Sequence, residues 1–209
     1  MRASIFLICY FASTLVMGQD SLNSVVSRIK SNAVSAIAYK ETRALGLFVE
    51  QWKGSGVFYT TAQGTLIKQQ IQPEPEIMGV IGNQLYYYKA EGEKRYQTEM
   101  DDSDAMVLPV IAFKGLMNGD LKYLRQYYDV DFTAKKQQWT LLLTAQYFEP
   151  EEGEQATTVT MQGFSGKLAH KLEIHTADGD KSEFNLSPVK QTEEIKADIT
   201  RLSKLLKGN

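Results

Sequence analysis

Residues 101–120 read DDSDAMVLPVIAFKGLMNGD, and they decide the fold because they place an apolar helix inside a chain of strands. Between Ala105 and Met117 the one charged residue is Lys114, and apolar residues recur at helical spacing and on the flanks. The predicted helix is therefore apolar nearly all round. One sheet face cannot cover it. Either it is buried on two sides in a large core, or it caps a hydrophobic cavity whose contents complete its burial, as in a carrier.

The residues around this apolar run predict where the helix begins and ends. Residues 101–103 supply capping oxygens and negative charge for its N-terminus. Pro109 removes a backbone donor, which predicts a kink or a split within the helix. The Asn-Gly pair at residues 118–119 predicts its end, and Asp120 is expected to cap a second, short helix over residues 121–128.

The rest of the chain predicts strands that pair with their neighbours. Gly82-Asn83 and Asp178-Gly179-Asp180 supply tight turns, so the sheet is expected to be antiparallel. Gly54 and Gly56 lie inside one strand and indicate a bend or a close backbone approach. The fold class is α+β, mainly antiparallel β, with a curved sheet. The predicted strands span residues 36–45, 52–61, 64–72, 77–81, 84–89, 94–99, 130–134, 138–144, 156–162, 167–176 and 181–186.

The N-terminus has the layout of a secretory signal peptide, residues 1–18. Arg2 precedes an uncharged run over residues 3–16, and the small Gly18 follows. The run is shorter than the about 20 apolar residues that a membrane helix needs. Cys9, the only cysteine, lies inside the run, so the mature chain is expected to have no disulfide, which fits a bacterial periplasm.

The remaining residues, 19–209, are expected to form a single domain. A helix is predicted over residues 22–29 with a cap at Asp20 or Ser21. An amphipathic C-terminal helix is predicted at about 192–207.

Composition and motifs argue against nucleic-acid binding and against catalysis. The formal net charge is −2 at pH 7, so no basic field attracts nucleic acid. Residues 163–166, Gly-Phe-Ser-Gly, lack one residue of a nucleophile elbow, and a bend between strands is the better interpretation. His170 and His175, five apart on a strand, point to opposite faces and do not suit a shared metal. We expect no enzyme, no cofactor and no metal; a lipid-acting enzyme using Ser165 and these histidines is the weakest alternative.

Aromatic and aliphatic residues are in excess on the predicted strands. A curved sheet with helices on one side fills its hollow with side chains, helices or ligand. Methionines in the covering helix suit a surface that adapts to varied acyl shapes. The residues expected to line the cavity and its lid are Phe58, Leu66, Tyr86, Tyr88, Met106, Val110, Phe113, Leu116, Met117, Leu141, Leu143 and Met161.

Several short motifs, together covering most of the chain after residue 18, resemble the LolA-like family of periplasmic outer-membrane lipoprotein carriers, in particular its divergent branch. In chain order they are Tyr39-x-Glu41-x-Arg43, Gly54-x-Gly56-x-Phe58, Leu66-x-Lys68, Pro73-x-Pro75-Glu76, Gly82-Asn83-x-Leu85, Gly119-Asp120-x-x-x-Leu124, Trp139-x-Leu141-x-Leu143, Gly163 and Asp178-Gly179-Asp180.

The resemblance implies an unclosed antiparallel β-barrel, as in LolA and LppX, with helices covering its concave mouth and an apolar cavity for acyl chains. It implies a monomeric carrier that takes an acylated lipoprotein or other lipid-like cargo from an inner-membrane exporter and passes it to an outer-membrane acceptor. The alternative function is a periplasmic assembly factor that binds an apolar protein segment along a sheet edge, without lipid transport.

One position departs from the family pattern. In the lipoprotein carriers an Arg-Pro pair lies four residues before an inward tryptophan, whereas this chain has Ala62-Gln63 and then Lys68. The departure favours another acylated or polyketide-like cargo, as in the divergent branch. Lys68 is expected to be an outward, solvated lysine, with a partner role for Glu76 or an anionic head group as the alternatives.

Overall fold

The computed structural model describes residues 20–30, 34–44, 51–101, 107–146, 155–189 and 193–208. The predicted signal peptide, residues 1–18, and the predicted lid residue Met106 lie outside these ranges. No helix in the described ranges is long and apolar enough to span a bilayer.

The described residues form strands and helices close to the predicted bounds. The helices are α1 (Leu22–Lys30), α2 (Leu108–Asn118), α3 (Leu121–Leu124) and α4 (Glu193–Lys207), with a 3₁₀ turn at Glu91–Glu93. The strands are β1 (Val34–Ala44), β2 (Trp52–Thr61), β3 (Leu66–Gln72), β4 (Glu76–Ile81), β5 (Gln84–Lys89), β6 (Lys94–Glu99), β7 (Tyr128–Lys135), β8 (Gln138–Ala145), β9 (Thr158–Phe164), β10 (Ala169–His175) and β11 (Lys181–Pro188).

These strands make one antiparallel sheet in the order β6-β5-β4-β3-β2-β1-β11-β10-β9-β8-β7. Its two edges, β6 and β7, do not pair with each other within the described chain, so the sheet is an unclosed barrel. Gly82 and Gly179 adopt the positive φ angles of 64° and 87° that their turns require. The predicted fold class, mainly antiparallel β with helices on the sheet, is confirmed.

Strand register separates the side chains into two faces. Phe58 is paired with Lys68, and Leu66 with Val80, on the face that we call the inner face. The larger buried cluster joins this face to α1, α2 and α3. The smaller cluster joins the opposite face, the outer face, to α4.

Helix α2 is described from Leu108 onward, after the N-cap residue Val107. Residues 102–106 lie outside the described residues, so the predicted capping by residues 101–103 stays a prediction. Pro109 lies in the first turn of α2, where its missing N–H costs no helical hydrogen bond. The predicted kink or split involves residues 102–106 and stays a prediction. Gly119 ends the helix in the left-handed conformation, at φ 60° and ψ 34°, as predicted.

Two contacts fix α2 over the sheet. The hydroxyl of the fully buried Tyr128 donates a hydrogen bond of 2.7 Å to the carbonyl oxygen of Leu108. At Gly115 an added Cβ would lie 2.6 Å from Cδ2 of Leu124, so only glycine admits α3 this closely. The Asp120 side chain accepts from the Tyr123 amide at 2.9 Å, which confirms its predicted capping role. Tyr128 begins β7, so the prediction that the second helix reaches residue 128 is wrong.

Helix α4 covers the outer face. Ile195, Leu202 and Leu206 are buried against the β1–β5 half of the sheet. The absence of a side chain at Gly79 admits Leu206, whose Cδ1 would lie 2.6 Å from an added Cβ. The predicted C-terminal amphipathic helix is therefore confirmed.

Candidate functional site

A cavity of about 770 Å³ lies on the inner face beside the N-terminal half of α2. We call it the main cavity. Its volume is within the range of about 300–1,000 Å³ that is usual for small-molecule sites. The apolar part of its wall includes Phe58, Leu66, Val80, Leu85, Val110 and Phe113.

The main cavity exists because the sheet curls. Tyr96 on β6 and Leu172 on β10 both line it. These strands are seven places apart in the sheet order. In a flat sheet with about 4.8 Å between strands they would be roughly 34 Å apart, so the sheet must bend strongly to bring both to one cavity.

Two glycines on β2 make room for the neighbouring ring of Trp52 and for the close approach of β3. Along β2 the inner face carries Trp52, Gly54, Gly56 and Phe58 in alternation. A Cβ at Gly54 would lie 2.2 Å from the Trp52 ring, and a Cβ at Gly56 would lie 1.9 Å from the carbonyl oxygen of Gln69. The close backbone approach predicted for these glycines is therefore confirmed.

A charged cluster, which we call the inner triad, forms part of the cavity wall. It consists of Glu41 and Arg43 on β1 and Lys68 on β3. Glu41 is only 2% exposed. Its Oε2 accepts a hydrogen bond of 2.7 Å from Lys68 Nζ, and its Oε1 accepts two from Arg43, 2.7 Å from Nη2 and 3.2 Å from Nε.

Lys68 points inward, so the prediction of an outward, solvated lysine is wrong. Its side chain is 17% exposed, and its ammonium lies 5.3 Å from the ring centres of both Tyr39 and Phe184. Burial lowers the pKa of Lys68 below its usual value, and the Glu41 carboxylate only partly opposes this effect. The direct partner is Glu41 and not the predicted Glu76.

Two aromatic rings in the wall of the main cavity are tilted against each other. Phe58 and Phe113 have ring centres 4.7 Å apart. Both also line a second apolar cavity of about 190 Å³ on the far side, together with Met117 and Met161. We call Phe58 and Phe113 the aromatic partition, because they separate the two cavities.

The structure places the predicted site residues in four groups. The main cavity is lined by Phe58, Leu66, Val110 and Phe113, and by the proposed head-group residue Lys68. The second cavity is lined by Met117 and Met161. Leu116, Leu141 and Leu143 are fully buried in the solid part of the core. Tyr86 and Tyr88 pack with the outer-face cluster under α4, although Tyr86 also borders the main cavity. Met106 lies outside the described residues.

The sequence prediction on β5 was one residue out of phase. Leu85 and Tyr87 lie on the inner face, where they are paired with Val80 and Met78. Because strand side chains alternate, this shift moves each tyrosine to the opposite face. The aromatic run at Tyr86, Tyr87 and Tyr88 carries no alternation that could have set the phase.

Of the residues considered for catalysis, Ser165 lies in a turn, whereas His170 and His175 lie on β10. The backbone of Ser165 donates to the carbonyl oxygen of Gln137, in the connection between β9 and β10. The His170 ring stacks on Phe164 at 4.6 Å. In the part of the chain that the structure describes, no group of three His, Cys, Asp or Glu residues is placed to hold a metal ion.

No family model matches the chain, and no curated protein matches it. Solved structures similar to it include a LolA superfamily protein from Nitrosomonas europaea, with a TM-score of 0.40, 9% identity and coverage of 81% of this chain and 96% of that one. The Mycobacterium tuberculosis lipoprotein LppX has a TM-score of 0.40, 6% identity and coverage of 82% and 97%. A DUF1329 family protein from Desulfovibrio piger has a TM-score of 0.43, 9% identity and coverage of 79% and 88%. The LolA superfamily is also the family that the motifs of this chain resemble.

Proposed function

We propose that this protein is a carrier that holds an acyl chain of a lipoprotein or another lipid-like cargo in the main cavity. The observation that supports this role is the cavity itself, about 770 Å³ of space between α2 and a mainly apolar stretch of the inner face. A protein of this size fills such space with its own side chains unless a ligand uses it.

The energy of acyl burial suits a carrier. Each CH₂ group removed from water contributes about 0.8 kcal/mol, so a chain of about a dozen carbons supplies up to about 10 kcal/mol. Opening of the α2 side of the cavity exposes Val110 and Phe113 to water, which offsets part of that gain. A carrier needs such a near balance, because cargo that is held too firmly cannot be handed on.

The proposed location is the periplasm, with an exporter in the inner membrane as the donor and a protein of the outer membrane as the acceptor. The apolar run over residues 3–16 and the LolA-like motifs support this location. The proposed role is binding and transfer, without catalysis.

Identification of the bound molecule tests the proposal. The full chain is produced with its own N-terminus in a bacterium with two membranes, purified without detergent and measured by native mass spectrometry. We expect a mass increase from one acylated molecule, which organic extraction removes. A protein that carries no lipid, and that also fails to bind dodecanol at micromolar concentration, would contradict the carrier role.

The second candidate function is an assembly factor that binds an extended protein segment, and the open edge of the sheet favours it. In the described chain β6 pairs only with β5, every residue of β6 is exposed, and Tyr96 is 65% exposed. Such an edge can accept another strand. A peptide found in place of lipid in the same mass measurement would select this function.

A further inference from the structure

We propose that the inner triad recognises an anionic head group, a carboxylate or a phosphate ester, while the acyl chain extends toward α2. This inference rests on the proposed function and names the class of amphiphile that the main cavity takes. A carrier of neutral amphiphiles would need no pair of cations in the wall of an apolar cavity.

The hydrogen-bonding capacity of the inner triad is unbalanced toward donors. Glu41 already accepts from both cations. An ammonium has three N–H groups and a guanidinium has five, and neither accepts a hydrogen bond. Among the described residues Glu41 is the one hydrogen-bond partner of Lys68 and of Arg43, so several donors on each remain for a ligand. The group that satisfies them must be an acceptor.

The charge of the inner triad leads to the same conclusion. Glu41, Arg43 and Lys68 are the charged residues of the main cavity wall, and together they carry one net positive charge. Burying a cation costs free energy unless an anion compensates it. One carboxylate shared by two cations leaves that compensation incomplete, and a ligand anion would complete it with charge-assisted hydrogen bonds.

Aromatic contacts hold both cations in place before any ligand arrives. Lys68 Nζ lies 5.3 Å from the ring centres of both Tyr39 and Phe184, and the guanidinium of Arg43 lies 4.6 Å from the centre of the Trp52 ring. These contacts reduce the freedom that each side chain would lose on binding.

The wall of the main cavity offers both kinds of contact that an amphiphile needs. The inner triad lies on β1 and β3, whereas Val110 and Phe113 of α2 supply apolar wall. Arg43 is the more exposed cation, at 35% of its side chain, so solvent and ligand can both reach it.

Calorimetric titration of the full chain with four dodecyl amphiphiles below their micelle concentrations tests this inference. The ligands are dodecanoate, dodecyl phosphate, the neutral dodecanol and the cationic dodecyltrimethylammonium. We expect at least one anion to bind about tenfold more tightly than dodecanol, as one charge-assisted hydrogen bond provides. Comparison of the affinities for dodecanoate and dodecyl phosphate shows which anion the site prefers.

Variants separate the head-group inference from the proposed function. Lys68→Met should lower the ratio of the anion affinity to the dodecanol affinity to near one, and the control Lys204→Met, at an exposed position of α4, should leave that ratio unchanged. Because Lys68→Met leaves Glu41 with one cation, the double variant Glu41→Gln/Lys68→Met removes the ion pair as a unit. Equal binding of all four ligands, tighter binding of the cation, or an undiminished preference in both Lys68 variants would overturn the head-group inference alone. Binding of none of the four would overturn the carrier function as well.

Discussion

At the scale of single residues, the main cavity depends on what is missing as much as on what is present. Gly54 and Gly56 leave the inner face of β2 without side chains next to Glu41 and Tyr39. Trp52 and Tyr39 occupy part of that space, and the Tyr39 hydroxyl lies 2.8 Å from where a Cβ on Gly56 would be. Charged side chains can therefore enter the wall of a cavity that is otherwise apolar.

The pKa of Lys68 gives a prediction for anion binding. Burial lowers this pKa, and of the charged groups around it Glu41 and Glu76 raise it while Arg43 lowers it. Lys68 therefore loses its proton below the usual lysine value of 10.5. Affinity for dodecanoate should fall as the pH rises toward 10.5, at a lower pH than for an ordinary lysine. The fall should be absent in Lys68→Arg, because a guanidinium stays protonated over this range. Identical pH profiles for the two proteins in a titration series would contradict this prediction.

The aromatic partition gives a prediction for chain length. Phe113→Ala should join the two cavities, so that hexadecanoate gains affinity relative to dodecanoate by up to about 0.8 kcal/mol for each additional CH₂ that is buried. The control is Phe132→Ala, which removes a phenylalanine from the same core away from both cavities. Competition binding measures the ratio of the two affinities. A ratio that does not change in Phe113→Ala, or that rises equally in the control, would show that the rings do not limit chain length.

At the scale of elements, helix ends and strand phase differ in how far sequence predicts them. Asn118-Gly119 and Asp120 use local backbone chemistry, and both predictions were correct. Pro109 fits either a kink or a first turn, and sequence alone does not choose between them; the structure places it in the first turn of α2. The apolar character of α2 correctly indicated contacts on more than one side.

The sequence did not predict that the side chain of Lys68 points inward. A lone lysine on a strand is usually solvated. Lys68 on β3 points inward because its two cross-strand partners, Phe58 on β2 and Met78 on β4, lie on the inner face. Glu41 in the motif Tyr39-x-Glu41-x-Arg43 was the available signal, since Tyr39 and Glu41 alternate onto the same face.

Helix α4 gives a prediction that separates stability from binding. Leu202 is fully buried between α4 and the outer face. Leu202→Ala should lower the free energy of unfolding by about 2–5 kcal/mol. Dodecanol affinity should stay the same under conditions where the variant is folded, because the main cavity lies on the other side of the sheet. Chemical denaturation and calorimetry measure the two quantities, and a large loss of affinity in the folded variant would contradict the separation of the faces.

At the scale of the whole molecule, the inner face divides into a solid half and a hollow half. On β8, Trp139, Leu141 and Leu143 are fully buried under the helices. The main cavity is surrounded instead by β1 to β6, β10 and β11, which follow one another in the sheet. Sequence patterns predicted the strands, their antiparallel order and an apolar inner face. They did not predict which half is hollow, because that depends on how the sheet curls and on where α2 lies.

The most direct test of the carrier function fills the cavity. Val110→Trp places a large ring from α2 into the main cavity, and Ile71→Trp is the matched control, an aliphatic residue that is 51% exposed and lies outside the cavity wall. Calorimetric titration with dodecanol measures binding to each folded protein. We predict saturable binding of one molecule to the wild type and to Ile71→Trp, and a loss of roughly tenfold or more in Val110→Trp, because the ring excludes at least two CH₂ groups of the chain. Equal affinity in all three proteins, or no saturable binding to the wild type, would contradict the carrier function.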